Sequence, residues 1–152
     1  AGNYFFITCL GGEWESQAIK GQVQMWNSNS LNKVSEFEFK IDSNPWHLVT
    51  HPSEQAIYVV LSGYLDGESG ESGIVKLNYT ENGLQLDWEN LSSNFKLLHG
   101  VDISDNGDYL YVSSRDGRIF KFDSDNGTLL NTSNLSSTLI PYPSPGGIRY
   151  SN

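Results

Sequence analysis

The sequence predicts an all-β protein built from repeated four-stranded antiparallel meanders, and three observations carry that prediction. The run His99 to Asp123, HGVDISDNGDYLYVSSRDGRIFKFD, reads as three short strands: Gly100 to Ser104, Tyr109 to Ser114 and Arg118 to Asp123. The links between them, Asp105-Asn106-Gly107-Asp108 and Arg115-Asp116-Gly117, hold residues that accept positive φ or bond locally. Strands joined so tightly must be antiparallel neighbours, because a parallel connection needs a long crossover. The second observation is composition, since 15 Gly, 8 Tyr, 7 Phe and 4 Trp in 152 residues suit strands joined by tight turns. The third is that this strand-and-turn unit recurs along the chain.

Taken in order, Tyr4 to Leu10 is an aromatic strand that starts almost at the first residue. Gly11 to Lys20 reads as a loop with a short turn at Trp14, and Gln22 to Asn27 as a strand ending in the turn Ser28-Asn29-Ser30. Lys33 to Ile41 alternates after an exception at Val34, which puts Phe37, Phe39 and Ile41 on one buried face of an outer strand. Asp42-Ser43-Asn44-Pro45 ends it, and Trp46 to Thr50 is a short strand. Ala56 to Leu61, AIYVVL, is β-prone enough for a central strand, and Tyr64 to Ser72 is an acidic surface loop carrying Asp66, Glu68 and Glu71. Ile74 to Tyr79 and Leu84 to Glu89 form a hairpin around Glu81-Asn82-Gly83. Beyond Asp123, Thr128 to Asn131 is a brief return strand, Asn134 to Pro145 a loop broken by Pro141, Pro143 and Pro145, and Gly146 to Tyr150 the start of a further strand.

Charge excludes some functions. With 9 Lys and Arg against 18 Asp and Glu, the net charge of −9 argues against a nucleic-acid or anionic-membrane surface. No apolar run is long enough for a transmembrane segment. Cys9 is the only cysteine, which rules out an intrachain disulfide or a cysteine-based zinc knuckle and reads as a small buried side chain. Acceptor sequences for glycosylation begin at Asn78, Asn90, Asn126, Asn131 and Asn134, and the protein is expected to be extracellular or periplasmic.

Trp46 to Leu61 lies on His99 to Ser114 without a gap at a displacement of 53 residues: Leu48 falls on Val101, Thr50 on Ile103, Ile57 on Leu110, Tyr58 on Tyr111 and Val59 on Val112. GIVKLN, ending at Asn78, matches RIFKFD, ending at Asp123. The N-terminal FITCLGG and GQVQMWN match the second and third strands of the same unit, and Gly147-Ile148 match Gly100-Val101. The expected order is a partial blade over 1–41, blades over 46–89 and 99–131, and a first strand over 146–152, with strand counts of two, four, four and one. Four-stranded units of this length are the blades of a β-propeller, which cover their faces only against neighbours. Fewer than three blades make an incomplete ring, so further blades are expected from the same protein or from another chain.

Gly100 to Thr132, GVDISDNGDYLYVSSRDGRIFKFDSDNGTLLNT, resembles the repeat of YVTN-type and lactonase-like propellers, in which a Gly or Ala strand, a Ser-Pro/Asp-x-Gly turn, a Leu-Tyr-Val strand and a Gly-x-Val strand follow one another. Tyr111-Val112 carries the central dipeptide, whereas Ser113-Ser114 departs from the pattern and His51-Pro52 replaces the Ser-Asp of the other copy. The Trp-Asp ending of WD repeats is absent, Met25-Trp26-Asn27 being the nearest approach.

In a propeller the first strands line the channel and the loops leading into them form a rim. Trp46 and His99 are equivalent rim positions, with Gly146 in the last copy and Asn44, His47, Asp102 and Arg149 nearby. Trp46, His47 and His99 are the candidate ligand-binding residues. The resemblance implies a lactonase-like hydrolase or isomerase acting on a small polar or anionic molecule, with His99 as general base or metal ligand and Asp102 or Arg149 orienting substrate. The other reading is a binding or scaffold propeller presenting rim loops to a protein or glycan partner. No cofactor is expected. No metal is expected either, since His47, His51 and His99 lack ligand spacing on strands and turns, and the acidic turns at Asp105 to Asp108 and Asp123 to Asn126 lack the full calcium-loop pattern. Trp14, Trp26 and Trp88 are read as packing between blades.

Overall fold

A computed structural model of the chain describes residues 2–11, 19–41, 43–63 and 71–135. Among them lie the strands β1 (Tyr4–Cys9), β2 (Gln22–Asn27), β3 (Lys33–Glu38), β4 (Pro45–Thr50), β5 (Ala56–Ser62), β6 (Ser72–Thr80), β7 (Gly83–Ser92), β8 (Leu98–Ile103), β9 (Tyr109–Ser114), β10 (Arg118–Asp123) and β11 (Leu129–Asn134). They form three antiparallel meanders: sheet 1, β1-β2-β3; sheet 2, β4-β5-β6-β7; and sheet 3, β8-β9-β10-β11. Among the described residues no sheet closes on itself, so the all-β fold is an incomplete propeller-like arrangement.

β5 explains how the sheets stack. Its seven residues are all buried, because the two faces of the strand serve two different cores. Ile57, Val59 and Leu61 join Val75, Leu77, Val23 and Phe39 between sheets 1 and 2. Tyr58 and Val60 join Ile74, Leu98, Val101, Leu110, Val112, Phe120 and Phe122 between sheets 2 and 3. A strand covered on both sides reads as an unbroken apolar run, and each such side chain contributes roughly 1.5–3 kcal/mol of burial. For each sheet, "front" below means the face toward the preceding sheet and "rear" the face toward the next.

The internal repeat extends to the irregularities of the backbone. In β4 the pairing with β5 shifts between Pro45 and His47, so Trp46 is an extra residue in a β-bulge. In β8 the pairing with β9 shifts between Leu98 and Gly100, which makes His99 the extra residue 53 positions later. Strands β2, β6 and β10, which align in the repeat, meet a bulge at one repeat position, after Met25, Lys76 and Lys121. The extra residues opposite are Val34, Asp87 and Leu130, and the first of these accounts for the break in alternation at Val34.

Several expectations are corrected. Sheet 1 has three strands, not two, because Lys33 to Glu38 belongs to it. That strand stops at Glu38: the chain turns away at Lys40 to Ser43, leaving Ile41 46% exposed instead of buried. Pro45 opens β4, a place where its missing N–H costs little, and Ser72, assigned to the acidic loop, opens β6. Cys9 is only half buried. β11 runs to Asn134, further than Asn131, and is exposed along its length, so no apolar alternation marked it. Trp88 does pack between sheets, on Tyr58 and Gly127, whereas Trp26 stacks on Phe5 within sheet 1. Trp14, residues 64–70 of the acidic loop and the expected strand at 146–150 lie outside the described residues.

Candidate functional site

β4 and β8 are the first strands of sheets 2 and 3, and the segments leading into them are built alike. Asn44 and Leu97 stand 53 residues apart, and both adopt positive φ, 32° and 51°. The carbonyl of Asn44 accepts the Ser62 N–H, and that of Leu97 accepts the Arg115 N–H, again at equivalent positions. The left-handed residue turns the chain into the strand, and the bulge one residue past Pro45 or Leu98 re-aims the next side chain. A left-handed conformation costs Leu97, which has no local side-chain bond to offset it, about 1–3 kcal/mol. Asn44 is better suited, since its Nδ2 donates to the Gly63 carbonyl at 3.1 Å and its Oδ1 accepts the Gly11 N–H at 3.2 Å. These bonds tie the segment before β4 to the ends of β1 and β5.

The two bulges bring the predicted rim residues together. The Trp46 and His99 rings lie 5.2 Å apart, tilted by 47°. The Trp46 carbonyl accepts the Thr8 hydroxyl at 3.3 Å, anchoring the bulge to sheet 1. His47 is exposed but fixed, its Nδ1 accepting the Val101 N–H of the adjacent sheet at 3.4 Å. That contact makes neutral His47 an Nε2–H tautomer with a donor at its outer edge. Asp102 lies three residues beyond His99, half buried, on the strand face opposite Val101 and Ile103, and its Oδ1 accepts the Ile103 N–H at 3.0 Å. Arg149 and Gly146 lie outside the described residues.

The third histidine has another task. Nδ1 of His51 accepts the N–H groups of Ser53 and Glu54, and the far edge of its ring meets Gly107 of sheet 3. A cavity of about 190 Å³ opens beside this turn, lined in part by Tyr4, Glu54, Gln55 and Tyr79. It lies at the other end of β4 from Trp46, and the bonds of His51 hold the imidazole to the turn. Among the described residues no group of three His, Cys, Asp or Glu side chains is arranged to hold a metal ion. The turn Asp105 to Asp108 is held by its own bonds: Asn106 Nδ2 donates to Asp108 Oδ2, and Asn106 Oδ1 accepts the Asp108 N–H.

The sequence pointed to Trp46, His47 and His99 through the repeat alignment, but it missed what Thr8 and Leu97 do. Thr8 reaches the site from a different sheet, a relation without any sequence spacing. Leu97 was findable: it stands at the same repeat offset from Asn44 as the aligned strands do.

No family model matches the chain, and no curated protein sequence matches it. Solved structures do. A Kuenenia stuttgartiensis hydrazine synthase chain superposes with a TM-score of 0.70 at 12% identity, over 97% of this chain and 49% of that one. The β-propeller domain of Cps50 (Swd1) from Myceliophteria thermophila gives 0.57 at 13% identity, over 86% and 38%. A candidate 6-phosphogluconolactonase from Bacteroides uniformis gives 0.55 at 19% identity, over 78% and 36%. The chain thus spans half or less of each of these three structures, and at these identities the likeness is one of fold. It is a propeller-fold module, similar in architecture to proteins of quite different activities.

Proposed function

We propose that the chain forms part of a propeller-fold enzyme that binds a small polar or anionic molecule at the inner rim and hydrolyses or isomerises it in the manner of a lactonase. The observation that carries this reading is the pair of equivalent bulges, which turn an indole and an imidazole toward each other across two sheets, 5.2 Å apart. The flat face of Trp46 suits a sugar-like or lactone ring, the Nε2–H of His47 suits a polar or anionic substituent, and His99 is the group that moves a proton. Arg149, which falls on Asp102 in the repeat alignment and lies outside the described residues, is the residue proposed to orient an anionic substrate. The likeness to a candidate 6-phosphogluconolactonase supports the choice of chemistry.

The test is hydrolysis of phosphorylated and plain aldonolactones by the wild-type chain and by two variants. Trp46→Ala is expected to raise KM with kcat little changed, and His99→Ala to lower kcat about 100-fold or more. Turnover indifferent to both changes refutes the assignment. A second reading, a scaffold for a protein or glycan, is favoured by the rear face of sheet 3, over which no other sheet lies among the described residues and where Lys121 Nζ lies 3.6 Å from the centroid of the Tyr109 ring. It predicts partner binding that Tyr109→Ala abolishes and His99→Ala leaves alone.

A further inference from the structure

The repeat that aligns the three sheets also aligns tyrosines with lysines. The shared bulge after Met25, Lys76 and Lys121 puts these three residues at one repeat position, and their partners across the pairing are Phe6, Tyr58 and Tyr111. Two residues earlier on those partner strands stand Tyr4, Ala56 and Tyr109. In sheet 3 the Lys121 ammonium lies over the Tyr109 ring, 3.6 Å from its centroid. In sheet 2 the Lys76 ammonium lies 5.9 Å from the centroid of Tyr58 and 3.5 Å from the Glu54 carboxylate. The chain thus holds an ammonium against a tyrosine twice. Sheet 1 keeps a tyrosine, Tyr4, at the position of Tyr109, but puts the uncharged Met25 where the lysine stands.

Tyr4 lines the cavity of about 190 Å³ at the turn between β4 and β5. Its aromatic wall is Tyr4 with Tyr79, edge to face with ring centroids 6.2 Å apart, and Phe6 lies against Tyr79 at 4.9 Å. An edge-to-face pair leaves the faces of the edge-on ring clear of its partner, and a clear tyrosine face attracts a cation. Among the described residues lining the cavity Glu54 carries the only full charge, and it is negative. Its side chain is half exposed and already meets one ammonium, that of Lys76. The backbone donors that an anion needs are spent: the N–H groups of Ser53 and Glu54 donate to His51 Nδ1, and that of Tyr79 to the Gln55 carbonyl.

We propose that this cavity binds a small organic cation of the alkylammonium class, its head against the Tyr4 ring as the Lys121 head lies against Tyr109, with Glu54 as the counter-charge. The volume is below that of a drug-sized site, which limits the ligand to a few heavy atoms beyond the head. The site stands at the other end of β4 from the Trp46–His99 pair, and nothing in it depends on the chemistry of the rim.

The test is an NMR titration of the 152-residue chain with choline and, separately, with its uncharged carbon isostere, in which a tert-butyl group replaces the trimethylammonium. Choline is expected to shift the amide signals of Tyr4, Gln55 and Tyr79 saturably, with a Kd of about 1 mM, as suits so small a ligand. The isostere is expected to bind about tenfold or more weakly, because it has the shape without the charge. Tyr4→Leu removes the ring face and Glu54→Gln the counter-charge. Each is expected to weaken choline about fivefold or more, with folding checked by far-ultraviolet circular dichroism. Absence of a saturable shift overturns the proposal. Equal binding of the isostere overturns it too, since the cavity then takes apolar bulk and not a cation. So does a choline affinity that either substitution leaves unchanged in a folded chain.

Discussion

The imidazole of His51 occupies the space a side chain at residue 107 would need: a Cβ on Gly107 would fall 2.4 Å from His51 Nε2. The ring cannot swing away, because its Nδ1 holds the N–H groups of Ser53 and Glu54 at 3.2 and 2.9 Å. The turn of sheet 2 thereby seats on the turn of sheet 3, which joins two sheets that share no backbone hydrogen bond between their strands.

Gly107→Ala is accordingly expected to destabilise the chain by about 2–4 kcal/mol, from a left-handed φ of 86° and from the clash together. Urea unfolding measures it. In a double-mutant cycle with His51→Ala the combined loss falls short of the sum by about 1 kcal/mol or more, because the smaller side chain removes the clash. Additive losses would mean that the two residues do not press on each other.

Tyr58 sets the alkaline limit. Burial pushes its phenol pKa well above the ordinary 10, with Ser124 opposing and the acidic groups Glu54, Asp125 and Asp87 adding to the rise. A folded pKa above the unfolded value leaves stability intact below the unfolded pKa and removes it as pH rises beyond. Stability measured by denaturant titration is therefore expected to fall from about pH 10 upward, where the unfolded tyrosine ionises and the folded one does not. Tyr58→Phe, which cannot ionise, flattens that decline and shifts stability at pH 7 by less than about 1 kcal/mol. An unchanged alkaline slope would exclude Tyr58 as its source.

Lys76 is a buried cation that the repeat keeps as Lys121 in sheet 3 and replaces in sheet 1. Its ammonium lies 3.5 Å from Glu54 and 3.3 Å from Asp87, while Met25 fills the matching place in sheet 1. Lys76→Met is expected to leave stability within about 1 kcal/mol of wild type, since an apolar residue of similar length needs no ionic partner. Removing both carboxylates, as Glu54→Gln with Asp87→Asn, strands the charge against the Tyr58 ring. That costs about 1–3 kcal/mol, less than for a fully enclosed pair because Glu54 and Asp87 are themselves half open to water. Thermal unfolding ranks the two variants, and a greater loss in Lys76→Met than in the double variant would reverse the argument.

Much of the site was legible because it is repeated. The alignment of Trp46 with His99 needs only the displacement of 53 residues, and the structure brings the two rings into contact. The face assignment of Asp102 was not legible. β8 carries its bulge at His99, so the alternation before that residue does not continue after it. Ile41 failed for a related reason: the alternation of Phe37 and Phe39 runs on in the letters after Glu38, but the backbone turns away to reach β4.

The sequence by itself determined most of the strands, their turns and the antiparallel meanders of sheets 2 and 3. These depend on neighbouring residues: side chains alternate along a strand, and Asn, Asp and Gly permit the tight turns. Even the two-sided burial of β5 is written in its unbroken apolar run. Only the tertiary structure decided that Trp88 rests on Gly127, that Thr8 holds Trp46, that His51 seats on Gly107 and that bulges recur at one repeat position in β2, β6 and β10. Each of those joins residues far apart in the chain. Whether such a pair meets depends on how the sheets twist and stack, and that is set by filling the two cores between sheets without voids, which no single stretch of sequence specifies.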